Sequence, residues 1–244
     1  MGSRRERLCG NRLTLVGAVV YLLEWVGIIG FNSGNTPTAP GTRPDAVLAM
    51  YSSHAAGTAL LASWLSMVLL GRILFAAGLR DSLRRSGEET LLADIMLATM
   101  AASVVLEIAA YALVGAAGHV ASAGNTAVVV GLDAAASWVN LTIYAPLAVS
   151  VVAASTAQLR SGLFPAWFGW LGLASGLVGM GIALLAGPAF AAGGTFYSTV
   201  GVAGFAVVGI WVWMIATGIV LFRHAGKRST QFKQVESERD STAT

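Results

Sequence analysis

Residues 91–117 read LLADIMLATMAASVVLEIAAYALVGAA, an apolar run in which Asp94 and Glu107 are the only charged side chains. A transmembrane helix needs about 20 mostly apolar residues to cross the hydrocarbon core of a bilayer. This run meets that requirement with residues to spare. It therefore predicts a membrane-spanning helix.

The rest of the chain has the same character. Of its 244 residues, 56% are hydrophobic and only 11% are charged, whereas soluble domains carry about 25% charged residues. This composition excludes a secreted globular domain, a nucleic-acid-binding protein and a disordered chain. Five further segments qualify as spans, so we expect an all-α polytopic membrane protein with six transmembrane helices. The additional spans are residues 13–31, 51–79, 126–155, 167–186 and 197–222.

The basic residues predict how the chain is threaded. Thirteen of the 15 lysines and arginines lie in the two tails and in the connections on one side of the membrane. Cytoplasmic loops carry such an excess, so we expect both termini in the cytoplasm. The predicted organisation is a basic N-terminal tail (1–12), a transmembrane domain (13–222) and a disordered C-terminal tail (223–244). Abundant alanine and glycine with only two lysines indicate a GC-rich bacterial genome, and hence the bacterial plasma membrane.

Ionisable residues within spans are costly and are the first place to look for function. Six occur here, all in the first four predicted spans. At a rise of about 1.5 Å per residue, three carboxyl groups lie roughly 10–15 Å below the outer surface. We therefore expect a polar pocket that is enclosed by spans one to four and opens outward. The six residues are Glu24, His54, Arg72, Asp94, Glu107 and Asp133.

Polar residues also follow one face of the fourth span. Asp133, Ser137, Asn140 and Tyr144 recur at the spacing of a helical stripe. Pro146 follows closely, and because proline lacks a backbone N–H, we expect a kink in this span near the floor of the pocket. Asp94 is the exception among the ionisable residues, and we expect it to cap its helix or to pair with Arg85.

Glycine spacing predicts close helix packing in two places. Gly17 and Gly27 share a face with Glu24 and would let a neighbouring helix approach. Gly172 and Gly176 form a pair of small residues four apart, for which packing within the chain is the simpler interpretation.

Seven residues are candidates for ligand binding or proton relay: Glu24, His54, Arg72, Glu107, Asp133, Asn140 and Tyr144. No catalytic residue, metal ligand or cofactor is assigned. With three carboxyl groups near one arginine and one histidine, we expect at least one carboxyl group to carry a proton at neutral pH.

Three functions remain open. The first is binding or transport of a small polar solute or a lipid, coupled to protons. The second is a structural or regulatory role without chemistry, because buried polar groups often only tie helices together. The third is a membrane-embedded metal enzyme, with a carboxylate and imidazole site. The expected partners are membrane lipid and a small solute or proton but no nucleic acid, and the oligomeric state is left open.

Several stretches resemble a family of six-span actinobacterial membrane proteins catalogued as a domain of unknown function. The resemblance implies the fold and a bacterial membrane, and it implies no activity. The stretches are YLLEWVGIIG (21–30), LLGRILFAAGLR (69–80), LEIAAYALVG (106–115), LDAAASWVNL (132–141) and RSGLFPAWFGWLGLASG (160–176).

Overall fold

The computed structural model describes residues 4–31, 37–87, 90–204 and 208–223, which form helices joined by short connections and contain no β-strand. The helices are α1 (Arg4–Leu22), α2 (Glu24–Gly30), α3 (Pro44–Ser53), α4 (Ala55–Val68), α5 (Leu70–Arg85), α6 (Thr90–Ala121), α7 (Thr126–Thr142), α8 (Tyr144–Ser161), α9 (Ala166–Ala192), α10 (Gly194–Gly204) and α11 (Val208–Arg223).

Five helical segments of the described chain are long and apolar enough to cross a membrane, which confirms the prediction of an all-helical, multi-pass membrane protein. They are Arg12–Gly30, Ala55–Arg85, Leu91–Ala121, Thr126–Ser161 and Ala166–Ala192. The sixth predicted span corresponds to α10 and α11, and residues 205–207 between them lie outside the described chain.

The predicted tails are described only in part. The basic N-terminal segment is helical from Arg4 onward, so α1 begins well before the apolar run that predicted it. Residues 1–3 lie outside the described chain. So do residues 224–244, and the expected disorder of the C-terminal tail therefore stays a prediction.

Three of the five spans are interrupted. The breaks fall at Leu23, between α1 and α2, at Leu69, between α4 and α5, and at Ile143, between α7 and α8. The last lies three residues before Pro146, which has no N–H to donate to the carbonyl group four residues earlier. Ile143 keeps helical backbone angles, so the expected kink stays a prediction. At Leu23, the carbonyl group accepts a hydrogen bond of 2.7 Å from the Trp64 indole of α4. A side chain of a neighbouring helix thus stabilises this break.

A short helix precedes the second span, where the sequence predicts a loop running directly into the membrane. α3 begins at Pro44, whose fixed φ suits the first helical position, and Asp45 lies in its first turn. α3 packs on α7 and α6, and His54 separates it from α4.

Helix α6 occupies the middle of the bundle, where it contacts α4, α5, α7 and α8. α1 packs along α5, and the two backbones touch at Gly17 and Gly71. A Cβ atom at Gly71 would lie 2.7 Å from the Tyr21 nitrogen, and one at Gly17 would meet the Phe75 nitrogen. The prediction that Gly17 permits close approach is confirmed.

The remaining predicted glycine contacts are also present. Gly27 lies against Trp64 of α4. Gly172 faces Ser155 of α8 and Trp213 of α11, and Gly176 lies against Val152. The α9 glycine pair therefore packs within the chain.

The sequence predicted that Asp94 caps its helix or pairs with Arg85. Instead, Asp94 lies beyond the first turn of α6 and pairs with Arg80. Its carboxylate accepts a hydrogen bond of 2.5 Å from Arg80, whereas Arg85 pairs with Asp81. The reason is the register of the hairpin formed by α5 and α6. Arg80 and Asp94 are equally far along the chain from Gly87 in the turn, so the antiparallel helices bring them side by side.

Candidate functional site

A buried ion pair joins the second and third spans. Arg72 lies in the first turn of α5, just after the break at Leu69, and is only 1% exposed. Its guanidinium group donates a hydrogen bond to the Glu107 carboxylate of α6. It also lies over the ring of Tyr21 of α1, with 5.0 Å between the guanidinium carbon and the ring centroid. The chain therefore brings charges from two spans onto an aromatic face of a third.

Glu24 lies beside this pair. It follows the break at Leu23, is 4% exposed, and interacts electrostatically with both Glu107 and Arg72. We refer to Tyr21, Glu24, Arg72 and Glu107 as the arginine cluster. Tyr111 of α6 interacts with the same three charges. The cluster thus contains two carboxyl groups and one guanidinium group.

The polar atoms of the arginine cluster are not all paired. Tyr21 and Trp211 both interact with the Glu24 carboxyl group, yet Glu24 Oε2 and Trp211 Nε1 lack a partner with hydrogen-bond geometry. Arg72 Nε lacks one as well. These are three of the four unpartnered buried side-chain atoms in the described chain, and the fourth, Ser155 Oγ, faces Gly172 instead. Unsatisfied buried groups are rare in proteins, so their concentration here needs an explanation.

Asp133 belongs to a separate group, the aspartate cluster, which comprises Thr38, Tyr51, Asp133 and Ser137. The Asp133 carboxylate accepts hydrogen bonds from the Thr38 amide (2.9 Å), the Thr38 hydroxyl group and the Tyr51 hydroxyl group (2.7 Å). Ser137 donates to the Thr38 carbonyl group at 2.9 Å. This network fastens the connection after the first span onto α7 and α3. Asp133 is therefore fully paired.

The predicted stripe on the fourth span is divided by the break at Ile143. Asp133 and Ser137 face the connecting loop, and Asn140 is half-buried further along α7. Tyr144 begins α8 and interacts electrostatically with Glu107 and Glu24. Tyr144 thus borders the arginine cluster, whereas the upper half of the stripe belongs to the aspartate cluster.

His54 is in neither cluster. It is half-buried at the junction of α3 and α4, where its Nδ1 lies 2.9 Å from the Met50 carbonyl oxygen and 2.9 Å from the Ser53 hydroxyl oxygen. Both are local contacts within the end of α3. His54 and Arg72, which the sequence places on one face of a continuous helix, are not brought together.

A third polar network was not predicted. The Gln158 side chain of α8 accepts a hydrogen bond of 2.8 Å from the Trp213 indole and donates one of 3.0 Å to the Thr217 hydroxyl group. All three residues are buried. Gln158 lies beyond residue 155, where the fourth predicted span ends, so it was not expected in the core. A fully paired amide of this kind ties α8 to α11.

A cavity of about 350 Å³ adjoins the aspartate cluster, because the residue after Thr38 is part of its lining. It is lined by residues 39–42 of the connection after the first span and by residues 190–194 at the end of α9. This cavity therefore lies outside the pocket that the sequence predicted among the first four spans.

Metal-ligating residues do not gather in the described part of the chain. No three His, Cys, Asp or Glu side chains there are close enough to hold a metal ion. The hypothesis of a metal enzyme consequently has no site to build on among those residues.

No family model, no curated protein and no solved structure matches this chain. The resemblance to the six-span actinobacterial family therefore stays a prediction.

Proposed function

We propose that the protein binds and transports a small solute and couples this binding to the uptake and release of a proton at the arginine cluster. We place it in a bacterial plasma membrane with six spans and both termini in the cytoplasm, because the distribution of lysine and arginine supports that orientation. Membrane lipid surrounds it, and its solute reaches the cluster within the bilayer.

The observation that carries this proposal is the group of unpartnered atoms at one place. Glu24 Oε2 is an acceptor, and Arg72 Nε and Trp211 Nε1 are donors. Left unsatisfied, each would cost about 1–3 kcal/mol. A network built only to tie helices together would be paired throughout, as the aspartate cluster is. Unused donors and acceptors side by side favour a site that is completed by a proton, water or solute.

The charge count supports the same conclusion. Arg72 neutralises one carboxylate, and it already pairs with Glu107. If Glu24 were also ionised, one negative charge would lie uncompensated in the bilayer, at considerable cost. A proton on Glu24 removes that charge. We therefore assign the exchangeable proton to Glu24.

Loss of this proton changes what Arg72 can do. Ionised Glu24 is a second acceptor for the guanidinium group. The Nε–H of Arg72 has no hydrogen-bond partner while Arg72 is paired only with Glu107. Guanidinium donors lie on several edges, so one arginine can bridge two carboxylates. Breaks at Leu23 and Leu69 lie next to Glu24 and Arg72. Protonation thus biases the position of α2, which packs on α4, relative to Arg72 in α5. A shift of this kind is the two-state element that transporters require.

An infrared pH titration of the purified protein in nanodiscs tests the proposal. We expect a protonated-carboxyl band in the wild type that loses intensity as the pH rises, and that is absent in Glu24→Gln. Asp133→Asn is the matched control, because Asp133 is fully paired, and it should leave the band unchanged. A spectrum without this band, or a band that survives Glu24→Gln, would refute the assignment.

A structural role is the second candidate. The aspartate and Gln158 networks favour it because their polar side chains have hydrogen-bond partners. The thermal stability of Glu24→Gln separates the two. If Glu24 is kept for proton binding, the variant is as stable as the wild type or more so. If Glu24 is a structural tie, the variant unfolds at a lower temperature.

A further inference from the structure

Aromatic rings lie on one side of the unpartnered carboxyl group of Glu24. The rings of Trp25 and Trp211 meet edge to face with 5.1 Å between their centroids, and those of Tyr21 and Trp211 lie 6.0 Å apart. Glu24 itself interacts with Tyr21 and Trp211. One buried carboxyl group thus lies beside two aromatic rings, and a third ring, that of Trp25, packs on one of them.

The ring group borders the outside of the bundle. Trp25 and Trp211 are half-buried, and the next residue after each, Val26 and Val212, is 54% exposed. In a membrane-spanning segment, such exposed valines face lipid. A solute dissolved in the bilayer therefore meets the two indole rings before it meets Glu24.

Charged and titratable groups from every neighbouring helix determine which solute fits. Tyr21 lies on α1, Arg72 on α5, Glu107 and Tyr111 on α6, and Tyr144 of α8 also interacts with Glu24. With both carboxyl groups ionised, this set carries one negative charge in excess. One proton or one monovalent cation balances it.

The aromatic rings favour an organic cation over a metal ion. The faces of tryptophan and tyrosine attract organic cations, and quaternary ammonium groups are recognised by cages of such rings. Arg72 already occupies a face of Tyr21 in this way. A metal ion would need several oxygen ligands, whereas no three His, Cys, Asp or Glu side chains of the described residues are close enough to hold one.

We propose that Glu24, Tyr21, Trp25 and Trp211 form a binding site for a lipophilic organic cation, which enters from the lipid and replaces the proton on Glu24. This inference rests on the proposed function, because it names the class of its solute. Binding of one cation releases one proton, so the apparent affinity rises by up to about tenfold per pH unit while Glu24 is protonated in the free protein.

Calorimetric titration of the full chain in nanodiscs with tetraphenylphosphonium tests the site, with tetraphenylborate as an anion of the same shape. Buffers of different ionisation enthalpy report the protons released. We expect saturable binding of the cation alone, release of one proton, and loss of saturable binding in Glu24→Gln. Trp25→Leu should weaken binding about tenfold. Trp170→Phe, at a 61% exposed tryptophan of α9, is the matched control and should leave the affinity unchanged.

The outcomes separate this inference from the proposed function. If Glu24 exchanges a proton but the cation shows no saturable binding, the organic-cation site is refuted and proton binding stands. Saturable binding that survives Glu24→Gln, or that is equal for cation and anion, also refutes the site. If Glu24 exchanges no proton in the infrared titration, the proposed function is refuted, and the inference that rests on it is refuted as well. Empty nanodiscs measure the partition of both probes into lipid.

Discussion

The Arg72 guanidinium lies in the interior of the bundle, where a charge without a partner is costly. Glu107 supplies that partner, and the ring of Tyr21 shields the guanidinium group further. Removing one member of a buried ion pair usually destabilises a protein by about 3–5 kcal/mol, because the other charge is then uncompensated. Replacing both members is much less harmful.

This asymmetry gives a prediction for the ion pair. Arg72→Met and Glu107→Leu should each lower the free energy of unfolding, Arg72→Met by about 3–5 kcal/mol because it leaves the Glu107 carboxylate without a counter-ion. The double variant should be more stable than the sum of the two losses indicates. Unfolding in nanodiscs, followed by circular dichroism, measures all three. Additive losses would show that the two residues act independently.

At this scale, the sequence indicated which charges are buried but not how they are grouped. The helical periodicity placed Leu65, Val68 and Arg72 on one face, and all three are buried. It did not reveal that Asp133 contacts the connection after the first span, whereas Arg72 pairs with Glu107. Thr38 was missed as the partner of Asp133 because it lies in a loop, and a loop has no sequence periodicity from which its contacts could be predicted. Arg72 lies 15 residues before Gly87 in the turn of the α5–α6 hairpin and Glu107 lies 20 residues after it, so antiparallel register alone would not have paired them.

At the scale of elements, the contact between α1 and α5 depends on the absence of side chains. Gly17→Ala would place a Cβ atom against the backbone of α5, and we expect a loss of stability of about 1–3 kcal/mol from overpacking. Gly181→Ala in α9 is the matched control. A Cβ atom there has open space, so the gain in helix propensity should leave stability equal or slightly higher. Thermal unfolding of both variants in nanodiscs tests this prediction. Equal losses of stability in the two variants would contradict overpacking at Gly17.

The elements themselves were largely predictable. Apolar runs of sufficient length located five spans, and Pro146 lies close to one of their breaks. The break at Leu23 was not predictable, since it depends on Trp64, which lies 41 positions further along the chain. α3 was missed because it begins before the apolar run, in residues whose helical signal is limited to Pro44 and Asp45. Ends and breaks of helices are thus set by neighbours that composition does not reveal.

At the scale of the whole molecule, the single cysteine permits a direct test of orientation. Cys9 lies in the basic N-terminal segment, which we place in the cytoplasm. A membrane-impermeant maleimide should label it only after the cells are permeabilised. In a Cys9→Ser background, Ala46→Cys, at an exposed position of α3, should be labelled in intact cells. Labelling of Cys9 in intact cells would reverse the topology.

The arginine cluster also affects how the chain is made. Its charges come from three successive spans, Glu24 from the first, Arg72 from the second and Glu107 from the third. An arginine at the centre of an isolated span opposes membrane insertion by about 2.5–3.5 kcal/mol. Arg72 emerges from the ribosome before Glu107, so the second span is poorly suited to partition into lipid alone. The first three spans therefore form the smallest unit that the insertion machinery can release with its buried charges already matched.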